Sequence, residues 1–258
     1  MQTKGQKQFI SLLSKVDYSK RMYEVFNDFC TLGCYSLALP FYPEIAKQEL
    51  KPVHDRYTKE QLIKMDEAFT VMVNEMETDN GDFLGEVYQQ CELGSDKLGQ
   101  FFTPFPVSEM IARISAGNLK EEIEAKNFVT VNDPACGSGG MLIAFRKAMI
   151  DQQCNPSRDA FFVAQDISDA AFKMCYIQLS LYGVGGKVIH GNTITMEIWQ
   201  ELYTPVYFLT DWQIRMSLRS LSELFHSQPV HSDPVLLPAP VMSTVSQSNS
   251  NNEQLSLF

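Results

Sequence analysis

The chain has 258 residues, 45% of them hydrophobic and 11% aromatic, and a formal net charge of −10. That apolar content excludes wholesale disorder and a fibrous protein. The acidic balance excludes a nucleic-acid binder that works by bulk charge alone, so any DNA contact must be local or supplied by partners. No apolar run reaches the roughly 18 residues of a membrane span, and the first residues lack the apolar core of a signal peptide. The six cysteines, Cys30, Cys34, Cys91, Cys136, Cys154 and Cys175, therefore read as reduced thiols of a cytoplasmic protein.

Residues 1–95 form a helical region. Leu12, Leu13 and Val16 lie at helical spacing, as do Met22, Val25, Phe26 and Phe29. Thr58 to Gln61 has the pattern of a capping box, ahead of Leu62, Ile63, Met65, Phe69, Met72, Val73 and Met76. A shorter helix is expected from about Asp82 to Glu92. Cys30 and Cys34 sit one turn apart with no second ligand pair, so they read as core thiols.

Residues 96–225 alternate strand-like and helical runs. Strands are expected at 128–132, 160–164 and 187–190, and helices at 140–150 and 168–181, the second capped by Ser168. This order implies an α/β fold with a parallel sheet and helices packed on it. A fourth strand near Phe208 and a last helix from Asp211 to Phe225 complete the expectation. Residues 226–258 lose periodicity. Four prolines come in quick succession, then a Ser/Asn/Gln run, which reads as a flexible tail ending in Gln-Leu-Ser-Leu-Phe (254–258).

The chemistry concentrates in residues 132–142, a glycine-rich turn between a strand and a helix. Gly137 and Gly139 leave room for a ligand, and the helix after them favours a carboxylate or phosphate. The spacing is neither the dinucleotide fingerprint nor a P-loop. Asp133 at the strand end would repel a pyrophosphate and attract an amino group, so S-adenosylmethionine fits better than NAD. Asp166 ends the second strand, where an acid takes ribose hydroxyls. Asn192 follows the third strand, where it is either a nucleobase contact or a plain turn residue.

Asp-Pro-Ala-Cys-Gly-Ser-Gly at 133–139 resembles the cofactor motif of N6-adenine DNA methyltransferases, above all the modification subunits of type I restriction–modification systems. Leu-Gly-Gln-Phe-Phe-Thr-Pro (98–104), Gln-Asp-Ile-Ser (165–168) and Gly-Asn-Thr (191–193) resemble further segments of that family, in the same order. The resemblance implies a shortened Rossmann-like methyltransferase fold behind a helical N-terminal region. It implies an S-adenosylmethionine site built from Phe101, Phe102, Thr103, Asp133, Pro134, Ala135, Gly137, Ser138, Gly139, Asp166 and Asn192. The implied partners are DNA and a specificity or second methylase subunit, in a cytoplasm of bacterial, plasmid or phage origin.

One family element is missing. The chain contains no Asn-Pro-Pro-aromatic motif, whose amide and carbonyl accept hydrogen bonds from the target adenine while the aromatic stacks on the flipped base. The nearest candidate is Thr-Pro-Val-Tyr, which offers Thr204, Pro205 and Tyr207 without the amide. Two readings follow: an adenine-specific DNA methyltransferase, or a relative that keeps the cofactor site and is inactive or depends on a partner. The terminal pentapeptide resembles those that dock on the bacterial β sliding clamp, with Gln254 fixing register and Leu255, Leu257 and Phe258 filling an apolar groove.

Overall fold

The computed structural model describes residues 2–79, 81–93, 103–226 and 255–256. The N-terminal region contains α1 (Lys4–Leu13), α2 (Met22–Ala38), α3 (Pro43–His54), α4 (Lys59–Asp79) and α5 (Phe83–Gln90). Local chemistry sets their starts. Thr3 and Gln6 cap each other at α1, and Thr58 and Gln61 form the expected reciprocal box at α4, at 2.8 and 3.3 Å. Phe9 then meets Phe29 and Phe83 edge-on, with ring centroids 5.0 and 5.2 Å apart.

After α6 (Phe105–Ala116) and α7 (Leu119–Lys126) comes β1 (Val129–Asp133), followed by α8 (Gly140–Asp151), α9 (Pro156–Asp159), β2 (Ala160–Asp166) and α10 (Asp169–Leu181). The chain continues through β3 (Gly186–Asn192), β4 (Glu197–Tyr203), α11 (Pro205–Leu209), α12 (Trp212–His226) and β5 (Leu255–Ser256). The sheet order is β4-β3-β2-β1-β5. β1, β2 and β3 are parallel, with Asp133 beside Ala164 and Asp166 beside His190. β5 pairs parallel with β1, and β4 pairs antiparallel with β3.

The parallel strands and their helices follow the expected order, and Ser168 accepts from the Ala171 amide as the cap of α10. The fourth strand does not lie near Phe208. Residues 205–209 are helical, and the strand is β4, eight residues earlier in the chain. Its apolar residues do not alternate with polar ones, because it is an edge strand whose Ile198 and Trp199 remain exposed.

Side-chain alternation splits the sheet between two cores. Phe162 belongs to the main core under α8 and α10, whereas Phe161 packs with Phe128 and Trp212 of α12 on the other face. The main core is continuous from Phe9 to Leu202, so the N-terminal helices and the sheet share it. Polar ties reinforce the contact. Lys173 of α10 reaches the Thr31 hydroxyl at 3.0 Å, Tyr35 donates to Gln200 at 2.9 Å, and Tyr182 donates to the Gly81 carbonyl at 2.6 Å. Among the described residues no helix is long and apolar enough to cross a membrane, and all six cysteines are free thiols.

Candidate functional site

Parallel pairing brings the carboxyl ends of β1, β2 and β3 to one edge, the place where open α/β sheets bind ligands. Asp133, Asp166 and Asn192 each end one of these strands. The connection from β1 to α8 rises over this edge. Gly137 and Gly139 adopt positive φ of 54° and 93°, which side chains disfavour. A Cβ on Gly139 would also lie 3.0 Å from the Cys175 sulfur.

Each strand end holds the next loop in place. Asp166 accepts from the Gly137 amide at 2.8 Å and from the Ser168 amide at 2.8 Å. The Thr193 hydroxyl donates to the Pro134 carbonyl at 2.6 Å. Asn192 Oδ1 accepts from the amides of Ile194 and Thr195 and so shapes the turn into β4. The turn reading of Asn192 accounts for its carbonyl oxygen.

Asp133 is different. One carboxylate oxygen accepts from the Ala135 amide at 3.1 Å. The other is buried without a hydrogen-bond partner among the described residues. Burial first, and then the nearby Asp166 charge, push its pKa up to about 7, against the lowering by the Ala135 amide. A buried acceptor left open in this way fits a cationic ligand.

Asp133 lines a small cavity of about 60 Å³ with Thr103, Ser108, Ala135, Gly137, Ser138 and Asp82. Asp82 comes from the helical region. It caps α5 through the Gly85 amide and accepts from the Ser138 hydroxyl and the Gln178 amide. Sequence reasoning missed both Asp82 and Ser108, since neither sits in the glycine-rich turn. A larger cavity of about 400 Å³ lies on α2, α3 and α4, between Phe29, Leu62 and Phe69. It contains none of the strand-end residues, and its size alone does not make it the site.

The predicted site residues thus divide into three sets. Thr103, Asp133, Pro134, Ala135, Gly137, Ser138, Gly139, Asp166 and Asn192 meet at or beside the carboxyl edge. Phe101, Phe102, Gln254, Leu257 and Phe258 lie outside the described residues, and of Leu255 only the backbone is described, paired with Val131. Thr204, Pro205 and Tyr207 are at the wrong edge of the sheet. β4 runs back along β3 and pairs Tyr203 with Lys187, so Thr204 reaches the amino end of β3, where it donates to the Val184 carbonyl at 2.7 Å and accepts from the Gly186 amide at 3.1 Å. Asn192 is about 20 Å away along the same strand. Tyr207 packs on Tyr203 and Phe161. These residues build the sheet edge and the second core, and do not face the strand-end site.

A family model described as N-6 DNA Methylase matches residues 79–207. A curated relative, the type I restriction enzyme MpnII methylase subunit of Mycoplasma pneumoniae, is 26% identical over 153 residues, covering 56% of this chain and 26% of the relative. The chain therefore spans about a quarter of that relative's length. Among solved structures, one named as a class I S-adenosylmethionine-dependent methyltransferase of Listeria monocytogenes aligns at 15% identity and TM-score 0.41, over 74% of this chain and 54% of that one. A type I restriction–modification methyltransferase subunit of Streptococcus thermophilus aligns at 14% identity and TM-score 0.38, over 76% of this chain and 59% of that one.

Proposed function

Because the chain belongs to the N-6 DNA methylase family, we propose that its carboxyl-edge site binds S-adenosylmethionine in the service of N6-adenine methylation of DNA, in a type I restriction–modification setting. The observation that carries this is the open, buried oxygen of Asp133 beneath the glycine-rich turn. The donor set fits the cofactor. Asp133 and Asp166 make the site anionic, which suits an ammonium and a sulfonium and disfavours a pyrophosphate. Asp133 and Thr103 would hold the amino-acid end. Asp166 would take the ribose hydroxyls, since each of its oxygens keeps an acceptor site beyond the amide it already binds.

When bound, the cofactor supplies a methyl group on a sulfonium, an electrophile that needs little acid–base help. The protein's task is then to fix orientation and polarise the target amine. On this reading the residues of the carboxyl edge supply the first part. No Asn-Pro-Pro segment is present in the sequence, and Thr204 to Tyr207 lie on the far edge. Those two observations favour the reading in which this chain supplies the cofactor half of a site and another chain supplies the adenine acceptor, or in which the chain is an inactive relative. A specificity or second methylase subunit is the partner this reading requires. The terminal peptide Gln254 to Phe258 would bring the acidic protein to DNA by docking on the β sliding clamp.

The test is methyl transfer from labelled S-adenosylmethionine to unmethylated DNA, alone and with a full-length type I methylase subunit added, with nucleosides resolved after digestion. Label in N6-methyladenine that disappears with Asp133→Ala establishes catalysis through this site. Binding without transfer in either mixture leaves the inactive, clamp-recruited reading.

A further inference from the structure

We infer that Ser108 is a cofactor-binding residue that reads the amino-acid end of the ligand, an assignment that rests on the cofactor reading above. Ser108 lies in the first turns of α6 and is fully buried, yet its hydroxyl has no hydrogen-bond partner among the described residues. A serine inside a helix normally relieves this by bonding the carbonyl four residues back. Here that carbonyl, on Pro104, already accepts from the amides of Val107 and Ser108, at 2.8 and 3.2 Å. Alanine would fill the position without leaving a polar atom open, and would favour the helix. An unsatisfied buried hydroxyl is costly, so its presence here points to a group that enters from outside.

The cavity says which group. Ser108 and Asp133 both line the same space of about 60 Å³, and each has one buried oxygen without a hydrogen-bond partner among the described residues. That volume is room for roughly two water-sized groups. That is the size of an ammonium or a carboxylate group rather than of a nucleobase. A carboxylate and a hydroxyl on the walls of one cavity suit an α-amino-acid zwitterion, whose ammonium would be opposed by Asp133 while the hydroxyl would satisfy a remaining donor or acceptor. Because α6 belongs to the segment before β1, the amino-acid end would be held between that segment and the first strand end, apart from the ribose position at Asp166.

The experiment compares two ligands by calorimetry on the full chain. S-adenosylhomocysteine carries the amino-acid end, and 5′-methylthioadenosine shares its adenosine and thioether but lacks that end. Ser108→Ala is expected to weaken S-adenosylhomocysteine roughly tenfold, to leave 5′-methylthioadenosine unchanged, and to leave the ligand-free melting temperature unchanged or raised. Ser108→Cys, which keeps the shape and a weak donor, is expected to fall between. An equal loss for both ligands, or a lowered ligand-free melting temperature, would show a structural serine and overturn the assignment. Unchanged affinity for S-adenosylhomocysteine would overturn it as well, while the cofactor reading would stand. A folded wild-type chain that binds neither ligand would retire both.

Discussion

The Ser138 hydroxyl donates to the Asp82 carboxylate at 2.5 Å, joining the glycine-rich turn to a residue 56 positions earlier. Asp82 is wholly buried, and burial raises its pKa although the amide of Gln178, the hydroxyl of Ser138 and the amide of Gly85 all donate to it. The close approach depends on small neighbours, because a Cβ on Gly85 or Gly140 would press against this carboxylate at 2.2 or 2.8 Å. The helical region therefore does more than flank the sheet: it helps set the shape of the glycine-rich turn.

Two substitutions at this position should behave differently. Asp82→Ala leaves three buried donors open and is expected to cost roughly 2–3 kcal/mol in urea denaturation. Asp82→Asn keeps Oδ1 for Gly85 and Gln178, and its new amide can donate to Ser138 once that hydroxyl turns round. It should cost less than half as much. Equal losses for the two variants would mean that the charge matters and the hydrogen bonds do not.

The raised pKa of Asp133 makes folding depend on pH, and on the proposed function it makes cofactor affinity depend on pH as well. Its pKa rises from the ordinary 3.8 to about 7 in the folded chain. The folded state then holds more protons than the unfolded one between those values, so ligand-free stability falls as pH rises from about 4 to 7 and levels off above. Binding of an ammonium needs the carboxylate, so affinity changes the opposite way. It should weaken up to about tenfold per unit as pH drops below 7. Calorimetry with S-adenosylhomocysteine from pH 5.5 to 8.5 checks this. Asp133→Ala should bind no cofactor yet remain folded, since it removes a buried charge.

Much of this arrangement was legible in the residues. Thr58 and Ser168 announced their helices through cap chemistry, and the three parallel strands showed as short apolar runs before polar strand ends. What escaped notice depended on distance in the chain or on an edge. Asp82 and Ser108 act through space, with no local pattern to mark them. β4 escaped because its exposed Ile198 and Trp199 break the alternation that identifies a half-buried strand. Thr204 to Tyr207 looked like a degenerate catalytic segment, and only the reversal of β4 reveals that it faces the other way.

The second core predicts a stability effect separable from the site. Trp212 is fully buried, meets Phe128 at 5.0 Å and Phe161 at 5.3 Å between ring centroids, and donates its indole N–H to the Ser157 carbonyl at 2.8 Å. Trp212→Ala should cost about 3–5 kcal/mol. Trp212→Phe keeps most of the packing and loses the hydrogen bond, so its cost should be nearer 1–2 kcal/mol. Denaturant titration measures both. Cofactor affinity of the folded Phe variant should match the wild type, because this core lies on the face away from α8.

The terminal peptide yields the last prediction. Leu255 and Ser256 pair in parallel with Val131 and Asn132. This covers part of the outer edge of β1, a row of backbone groups that would otherwise be open to other chains. A peptide engaged there cannot at the same time lie extended in a groove on the β sliding clamp, so the proposed docking would first have to free it from the sheet. Deleting residues 254–258 is expected to abolish clamp binding in surface plasmon resonance and to spare S-adenosylhomocysteine binding. Hydrogen exchange at the outward-facing amides of β1 should quicken both in the deletion variant and in the full chain when clamp is added. Clamp affinity that survives the deletion would remove the peptide from the docking role. Unchanged exchange in the deletion variant would remove it from the sheet edge, and each outcome leaves the proposed cofactor site untouched.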